Sequence, residues 1–310
     1  MKILSLGGHG FVGKSISEEL TKSQHEIIVL SKRNGLDLTN FENTCSVFSE
    51  IKPDIIINCA ALVGSLNYVT QSAANIFDVN MRILLNIYKA IQEKSPDTIL
   101  INPIANCAYP GNIDAYSEDL FWAGKVHQSV LAYGNTRRMM EILSECYNMQ
   151  YDIKSINYFV PNMYGPHDST DPNKAHALNA LISRVVKAQI ENVNEIEVWG
   201  SGIAIREWLF ATDFARVIQH TIDNINDFIY KETVNIAQNS GLSIKELLNL
   251  IIKNSTYNGL IAWNKSMPDG APRKVMDDNR FRKSFPNFKF TELSDGIKTT
   301  IEYYKSVFPY

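Results

Sequence analysis

Short apolar runs alternate with stretches whose apolar residues recur every three or four positions through the first half of the chain. The runs Lys2–Leu6, Glu26–Leu30, 54–58, 98–102 and 153–158 have strand length and are rich in Ile, Val and Leu. Between them, Ile76, Val79, Ile83, Ile87 and Ile91 mark one helix over 76–91, and Met139, Ile142, Leu143 and Cys146 mark another over 135–147. Each is expected to bury one face. The helix that follows the second strand has Thr39 as N-cap and Glu42 three places on, a capping box. This alternation predicts repeated βαβ units, a parallel sheet and a doubly wound α/β architecture.

After Tyr164 the texture changes to the loop GPHDSTDPNKAH, with Pro166 and Pro172. A helix over 178–190, a strand Glu195–Trp199, a helix over 211–226 capped by Thr212 or Asp213, and a strand at 233–236 returning to the main sheet follow. From Ser243 come a helix, an irregular stretch and a terminal amphipathic helix over 292–304. The division expected is a larger domain over 1–165 and 207–236 and a smaller C-terminal α/β domain over 166–206 and 237–310. Phe77, Leu84, Leu85, Tyr88 and Met140 exceed what one helix face needs, so they widen the core or form a subunit interface.

Composition narrows the partners. The chain has 310 residues, 45% hydrophobic and 20% charged, which is ordinary for a folded enzyme. Its formal net charge of -3 and the lack of a basic stripe give no footprint for nucleic acid. The opening MKILSLGG reads as a first strand and not a secretory signal, and no apolar run approaches the ~20 residues that span a bilayer. Cys45, Cys59, Cys107 and Cys146 have neither metal-ligand nor disulfide-framework spacing, so reduced thiols in the cytoplasm and no metal are expected.

The first strand runs straight into Gly7-Gly8-His9-Gly10-Phe11-Val12-Gly13 and then a helical pattern. Gly7, Gly10 and Gly13 allow a tight turn and close backbone approach to a pyrophosphate, while the helix N-terminus faces the anion. This is a Rossmann dinucleotide turn. The second strand ends in Leu30-Ser31-Lys32-Arg33, with no acid for a ribose 2′-hydroxyl and two cations for a 2′-phosphate, so NADP(H) is expected over NAD(H). His9 assists there. Further along, Tyr133 and Arg137 are four apart, on one helical face. The cation is expected to lower the phenol pKa toward a range useful for proton transfer.

With strand, glycine turn and Tyr133-Gly134-Asn135-Thr136-Arg137 in place, the chain resembles the extended short-chain dehydrogenase/reductases that modify sugar nucleotides, whose motif is YxxxK. Arginine stands where that family has lysine. Asp37 and Leu38 lie in a run resembling the family's adenine-side segment. The resemblance also implies a homodimer packed through helices near 76–91 and 135–149.

It narrows to the GDP-L-fucose synthase family, 3,5-epimerases and 4-reductases of a GDP-4-keto-6-deoxyhexose. Six blocks in order carry it: Ala60-Ala61-Leu62-Val63-Gly64, Asn106-Cys107-Ala108-Tyr109-Pro110, Pro161-Asn162-Met163-Tyr164-Gly165-Pro166-His167-Asp168, Val198-Trp199-Gly200-Ser201-Gly202, Ile205-Arg206-Glu207-Trp208 and Pro268-Asp269-Gly270-Ala271-Pro272-Arg273-Lys274. The resemblance implies that Cys107 and His176 move protons at the carbons flanking the ketone. Inverting such a carbon needs a base on one face and an acid on the other. It implies that Arg184, Arg206 and Lys274 hold the diphosphate, with Asn162 and Trp199 lining the sugar and base pockets.

One further departure concerns the ketone. Ala105 occupies the place of the family serine that hydrogen-bonds its oxygen, and the side-chain amides of Asn106 and Asn135 are the nearby replacements. The function expected is hydride transfer at C4 of a GDP-keto-sugar, with C3/C5 epimerisation. A 4-epimerase or C4 dehydrogenase would use Tyr133 without Cys107 or His176. A silent NADP-binding subunit would need no diphosphate cations.

Overall fold

The chain runs β1 (Lys2–Leu6), α1 (Phe11–Leu20), β2 (Glu26–Leu30), α2 (Phe41–Ile51), β3 (Ile55–Asn58), α3 (Leu66–Gln71), α4 (Ala73–Lys94), β4 (Ile99–Ala105), α5 (Leu131–Tyr151) and β5 (Ser155–Val160) in its first half. It continues β6 (Asn162–Tyr164), α6 (Ala177–Ile190), β7 (Glu195–Trp199), β8 (Ile205–Arg206), β9 (Trp208–Phe210), α7 (Ala211–Asp223) and β10 (Val234–Asn235). Last come β11 (Leu242–Ser243), α8 (Ile244–Asn254), β12 (Leu260–Asn264), β13 (Arg273–Lys274), α9 (Asn279–Ser284) and α10 (Leu293–Ser306). The structure, a computed structural model, describes residues 1–113, 115–171, 174–229, 231–267 and 269–310. Pro172 of the loop marker and Pro268 of the sixth block lie outside the described residues.

All five predicted strand runs enter one six-stranded sheet in the order β10-β5-β4-β3-β1-β2, and the predicted returning strand supplies its edge. Every pairing is parallel. The two-residue period sends Ile3, Ile55, Ile57, Ile101 and Ile156 to the face under α1 and α7, and Leu4, Leu6, Ile56 and Leu100 to the face under α2 and α4. The chain leaves β1 toward β2 on one side and toward β3 on the other, so a crevice opens at the strands' C-terminal ends between β1 and β3. A second core gathers α6, α8 and α10 with β7 and Trp208 and Phe210. Phe281 and Phe285, from a segment the sequence division assigns to the smaller domain, are buried in the main-sheet core.

Three local expectations are corrected. Asn40, not Thr39, caps α2, accepting from the Asn43 N–H, because the Thr39 hydroxyl donates to Asp37 instead. Neither Thr212 nor Asp213 caps α7, which ends at Asp223; Asp213 is buried and accepts from Arg216 and Thr291. The apolar stripe of α5 is only half turned inward: Met139 and Leu143 pack against the core, Ile142 and Cys146 are exposed, and the buried positions include Thr136, Arg137, Arg138, Met140 and Ser144. Of the surplus apolar residues, Leu84, Tyr88 and Met140 belong to the core, whereas Phe77 and Leu85 stay exposed.

Candidate functional site

The crevice is a cleft of about 580 Å³ lined by the glycine turn, the end of β2 and the segment after β3. Gly7 has φ +69°, and a Cβ there would lie 2.8 Å from the Ala60 Cα, so only glycine lets the two strand ends meet. No side chain caps α1 at Gly10, which leaves its first N–H groups to face an anion. His9, Ser31, Lys32, Arg33, Asp37, Leu38, Ala60 and Ala61 line the cleft, while Phe11, Val12 and Gly13 begin α1. His9 Nδ1 meets the Ser31 hydroxyl at 3.1 Å. Lys32 pairs with Asp37 at 2.9 Å, and that cation with the Thr39 hydroxyl lowers the Asp37 carboxyl to about 2.

The tyrosine and arginine lie on α5, which Arg137 ties through Asn80 to Leu62 of this cleft. Gly134 brings α5 onto the turn after β4, since a Cβ on Gly134 would lie 2.6 Å from the Cys107 carbonyl oxygen. Cys107 thereby comes close enough to Tyr133 that a charge on its thiol opposes ionisation of the phenol. The Arg137 guanidinium lies 5.0 Å from the centre of the Tyr133 ring. The expectation of a lowered phenol pKa is corrected: burial pushes Tyr133 above its ordinary value, and the opposing pull of Arg137 is smaller.

Arg137 is 3% exposed. Its Nη2 donates to Asn80 Oδ1 at 3.2 Å, and its Nε is buried with no partner. Asn80 was invisible as a site residue, although a polar residue between Ile76 and Ile83 on a buried stripe is the signal that marks it. Its Oδ1 also accepts from the Leu62 N–H and its Nδ2 donates to the Leu62 and Ile76 carbonyls, so it ties Arg137 to the loop that lines the cleft. Arg138, also missed, donates to the Ala108 and Phe121 carbonyls and anchors the turn that carries Cys107.

Cys107 is raised above the ordinary thiol value by burial, against the pull of Lys274 and Arg137. His176 begins α6, and its ring lies 5.4 Å from that of Phe11, the first residue of the helix after the glycine turn. The buried Asp168 meets His176 Nδ1 at 3.1 Å and accepts from the His176 N–H and the Asn179 amide. Burial alone would depress the imidazole, but Asp168 outweighs it and raises His176 above its ordinary value. The same partner holds Asp168 below its own, against its burial.

The remaining predicted residues line the smaller core's side. Arg206 and Lys274 are directly paired in register between β8 and β13. Arg206 donates to the Ile205 and Asp269 carbonyls. Arg184 is exposed and donates to the Glu197 carbonyl of β7, two residues before Trp199, which is 58% exposed. The Asn162 amide donates to the Glu207 carbonyl. Glu207 itself is buried, raised to about 7 by that burial, and accepts from the Gln238 and Met276 N–H groups, fastening β13 beside β8. Asn135, one of the two candidate ketone donors, spends its amide on the Leu131 carbonyl at 2.8 Å. Among the described residues no group of three or more His, Cys, Asp or Glu side chains is placed to hold a metal.

Known proteins align with this arrangement over nearly its whole length. GDP-L-colitose synthase of Yersinia pseudotuberculosis is 29% identical, covering 98% of both chains. A putative GDP-L-fucose synthase of Arabidopsis thaliana is 29% identical over 98% of this chain and 91% of its own. A GDP-mannoheptose C4 reductase from Campylobacter jejuni, solved with NADP bound, superposes with a TM-score of 0.84 at 25% identity over 98% of both chains. The sequence pattern of the NAD dependent epimerase/dehydratase family matches residues 3–237, which takes in the sheet, the glycine turn and Tyr133. The chain belongs to the NAD dependent epimerase/dehydratase family.

Proposed function

We propose that this protein is a GDP-sugar oxidoreductase that reduces the C4 ketone of a GDP-keto-sugar, with epimerisation at C3 and C5. The observation that carries the reading is the close approach of Gly134, beside Tyr133, to the Cys107 backbone, with His176 against the helix that follows the glycine turn. The relatives' GDP-sugar chemistry over matching length supports the substrate class. NADP(H) fits the cleft: the uncapped α1 N-terminus suits a pyrophosphate, and Ser31, Lys32 and Arg33 border the end that a 2′-phosphate would reach. When bound, NADPH supplies the hydride.

The chain's own residues handle the protons. Tyr133, held as a neutral phenol by burial, donates to the C4 oxygen. Arg137, whose Nε is without a partner, would hold the nicotinamide ribose. His176, whose protonated form Asp168 favours, is the acid of the epimerisation, and Cys107 is the base, its thiolate opposed by burial and favoured by Lys274 and Arg137. Arg184, Arg206 and Lys274 hold the diphosphate, with Asn162 and Trp199 beside the sugar and base. The division into a cofactor domain over 1–165 and 207–236 and a substrate domain over the rest follows from these roles. No helix among the described residues is long and apolar enough to cross a membrane, and we place the protein in the cytoplasm, as a homodimer through α4 and α5.

Purified protein with NADPH and a GDP-4-keto-6-deoxyhexose tests this. Loss of NADPH absorbance together with solvent deuterium at C3 and C5 is expected. Cys107→Ser should abolish the deuterium exchange. No NADPH oxidation with any GDP-keto-sugar would refute the reductase reading.

A further inference from the structure

Ala105 ends β4 with a methyl group, at the position where the family resemblance puts the hydroxyl donor for the ketone of the proposed substrate. A donor for that oxygen must be preorganised in the site and free of internal partners, because an amide already satisfied within the protein has no proton to give without breaking a bond. The nearby amides can be sorted on this ground. Asn135 is partly exposed and gives one of its two amide protons back along α5 to the Leu131 carbonyl at 2.8 Å, so it carries no buried unpaired donor. Asn80 gives both its protons to the Leu62 and Ile76 carbonyls. Asn106 differs. It is 5% exposed, and its Nδ2 is buried with no hydrogen-bond partner.

A buried donor without a partner is a standing penalty that a purely structural residue has no reason to keep. Asn106 stands at the C-terminal edge of the sheet, between Ala105 and Cys107, on the turn that Gly134 and Arg138 clamp against the Tyr133 end of α5. The turn that carries its amide is therefore held against the helix that bears Tyr133. We infer that Asn106 is a catalytic residue of this chain, donating from Nδ2 to the C4 ketone oxygen in place of the hydroxyl that Ala105 lacks. The amide polarises the carbonyl and shares the charge that builds on oxygen as hydride reaches carbon, while Tyr133 delivers the proton; the amide itself gives up nothing. The inference rests on the C4-reductase reading above.

Asn106→Leu, Asn106→Ala and Asn106→Ala with Ala105→Ser test it. Asn106→Leu keeps the shape and removes an unsatisfied amide, so its melting temperature should equal or exceed wild type while kcat for ketone reduction falls roughly 10²–10³-fold. GDP and NADPH dissociation constants should stay within about threefold of wild type. Adding Ala105→Ser to Asn106→Ala should recover much of the lost kcat, because the hydroxyl returns a donor to the same oxygen. A second readout needs no turnover: in Tyr133→Phe protein, the infrared C=O stretch of a 13C4-labelled GDP-4-keto-6-deoxyhexose should lie below its value in water. It should move back toward that value in Tyr133→Phe with Asn106→Ala. Unchanged kcat in Asn106→Leu, or a carbonyl stretch indifferent to Asn106, overturns the inference even if reduction proceeds. Failure of wild type to reduce any keto-sugar, with a carbonyl shift that still depends on Asn106, overturns the reductase reading and leaves the hydrogen bond established.

Discussion

Arg137 replaces a lysine that the family uses, and burial decides what the change means. A guanidinium at 3% exposure with one donor on Asn80 and another unpaired is a planar cation held in one orientation. Arg137→Lys keeps the charge and should lose roughly tenfold in activity or less, whereas Arg137→Met removes charge and donors and should lose roughly 10²-fold or more. The melting temperature should change little with Met, since an apolar side chain of similar length fills the space without a buried charge. Steady-state rates and an NADPH fluorescence titration check both; equal losses for Lys and Met would remove the charge from the explanation. The Asp168–His176 pair makes a pH prediction of definite sign. His176 is raised in the fold, so its contribution is complete below the ordinary value of about 6.5 and is lost as pH rises through the folded value. Asp168 is depressed, so its contribution is present above about 3.9 and lost as pH falls through its folded value. Asp168→Asn should therefore cost about 2 kcal/mol at pH 6 and less at pH 8, discounting for the partly exposed imidazole. Urea unfolding at the two pH values decides it, and an equal cost at both would mean that the charge pair is not the source.

At the scale of elements, α5 shows why hydrophobic periodicity finds a helix more readily than its buried face. Leu131–Tyr151 is a helix as the spacing predicts, yet the face turned inward carries Arg137, Arg138 and Ser144, because these side chains find partners in Asn80, in the Ala108 and Phe121 carbonyls, and in Tyr88. Apolar patterning cannot see such a face. It did locate the strands of the main sheet, since Ile and Leu runs buried on both sides of a parallel sheet leave no polar alternative, but not the short strands β6, β8, β9, β11, β12 and β13. The glycine turn, Tyr133, Cys107 and His176 were legible as motifs; Asp168 as the orienter of His176, Asn80 and Glu207 were not, because their meaning lies in partners distant in sequence. Gly134 links the element to the chemistry. Alanine is better than glycine in a helix by about 1 kcal/mol. At Gly134 the added methyl would sit 2.6 Å from the Cys107 carbonyl oxygen, and such overpacking costs about 1–3 kcal/mol. Gly134→Ala should thus lower the melting temperature instead of raising it and, by pushing α5 away from the turn, reduce both ketone reduction and deuterium exchange. A variant that melts higher with full activity would show that the approach is looser than described.

For the whole molecule, the cofactor cleft lies on the main sheet and the cations proposed to hold the diphosphate lie outside it, and the two cores meet at β9, where Leu209 belongs to the first and Trp208 and Phe210 to the second. Ligands that bridge them should stabilise both. GDP at a hundredfold excess over its dissociation constant should contribute about 2.7 kcal/mol, and UDP or dTDP less, readable as a larger thermal shift for GDP. Equal shifts for all three nucleotides would remove the guanine preference from the proposal. The same scale decides the subunit question. Leu84, Tyr88 and Met140 are consumed by the core, which leaves Phe77 at 42% and Leu85 at 45% exposure on α4, and Ile142 at 37% and Met149 at 86% on α5. These two helices pack side by side, so their exposed residues can form one apolar surface on the outer side of the sheet layer. Packed against a second copy, four helices would bury it, and the substitutions Phe77→Glu and Leu85→Glu would each place charges in that contact. Wild type should sediment as a dimer, and the double substitution should halve the mass in solution while leaving the melting of the monomer and its NADPH binding intact, because neither side chain belongs to the monomer core. A wild-type monomer at micromolar concentration, or a double variant that still sediments as a dimer, would move the interface elsewhere or abolish it.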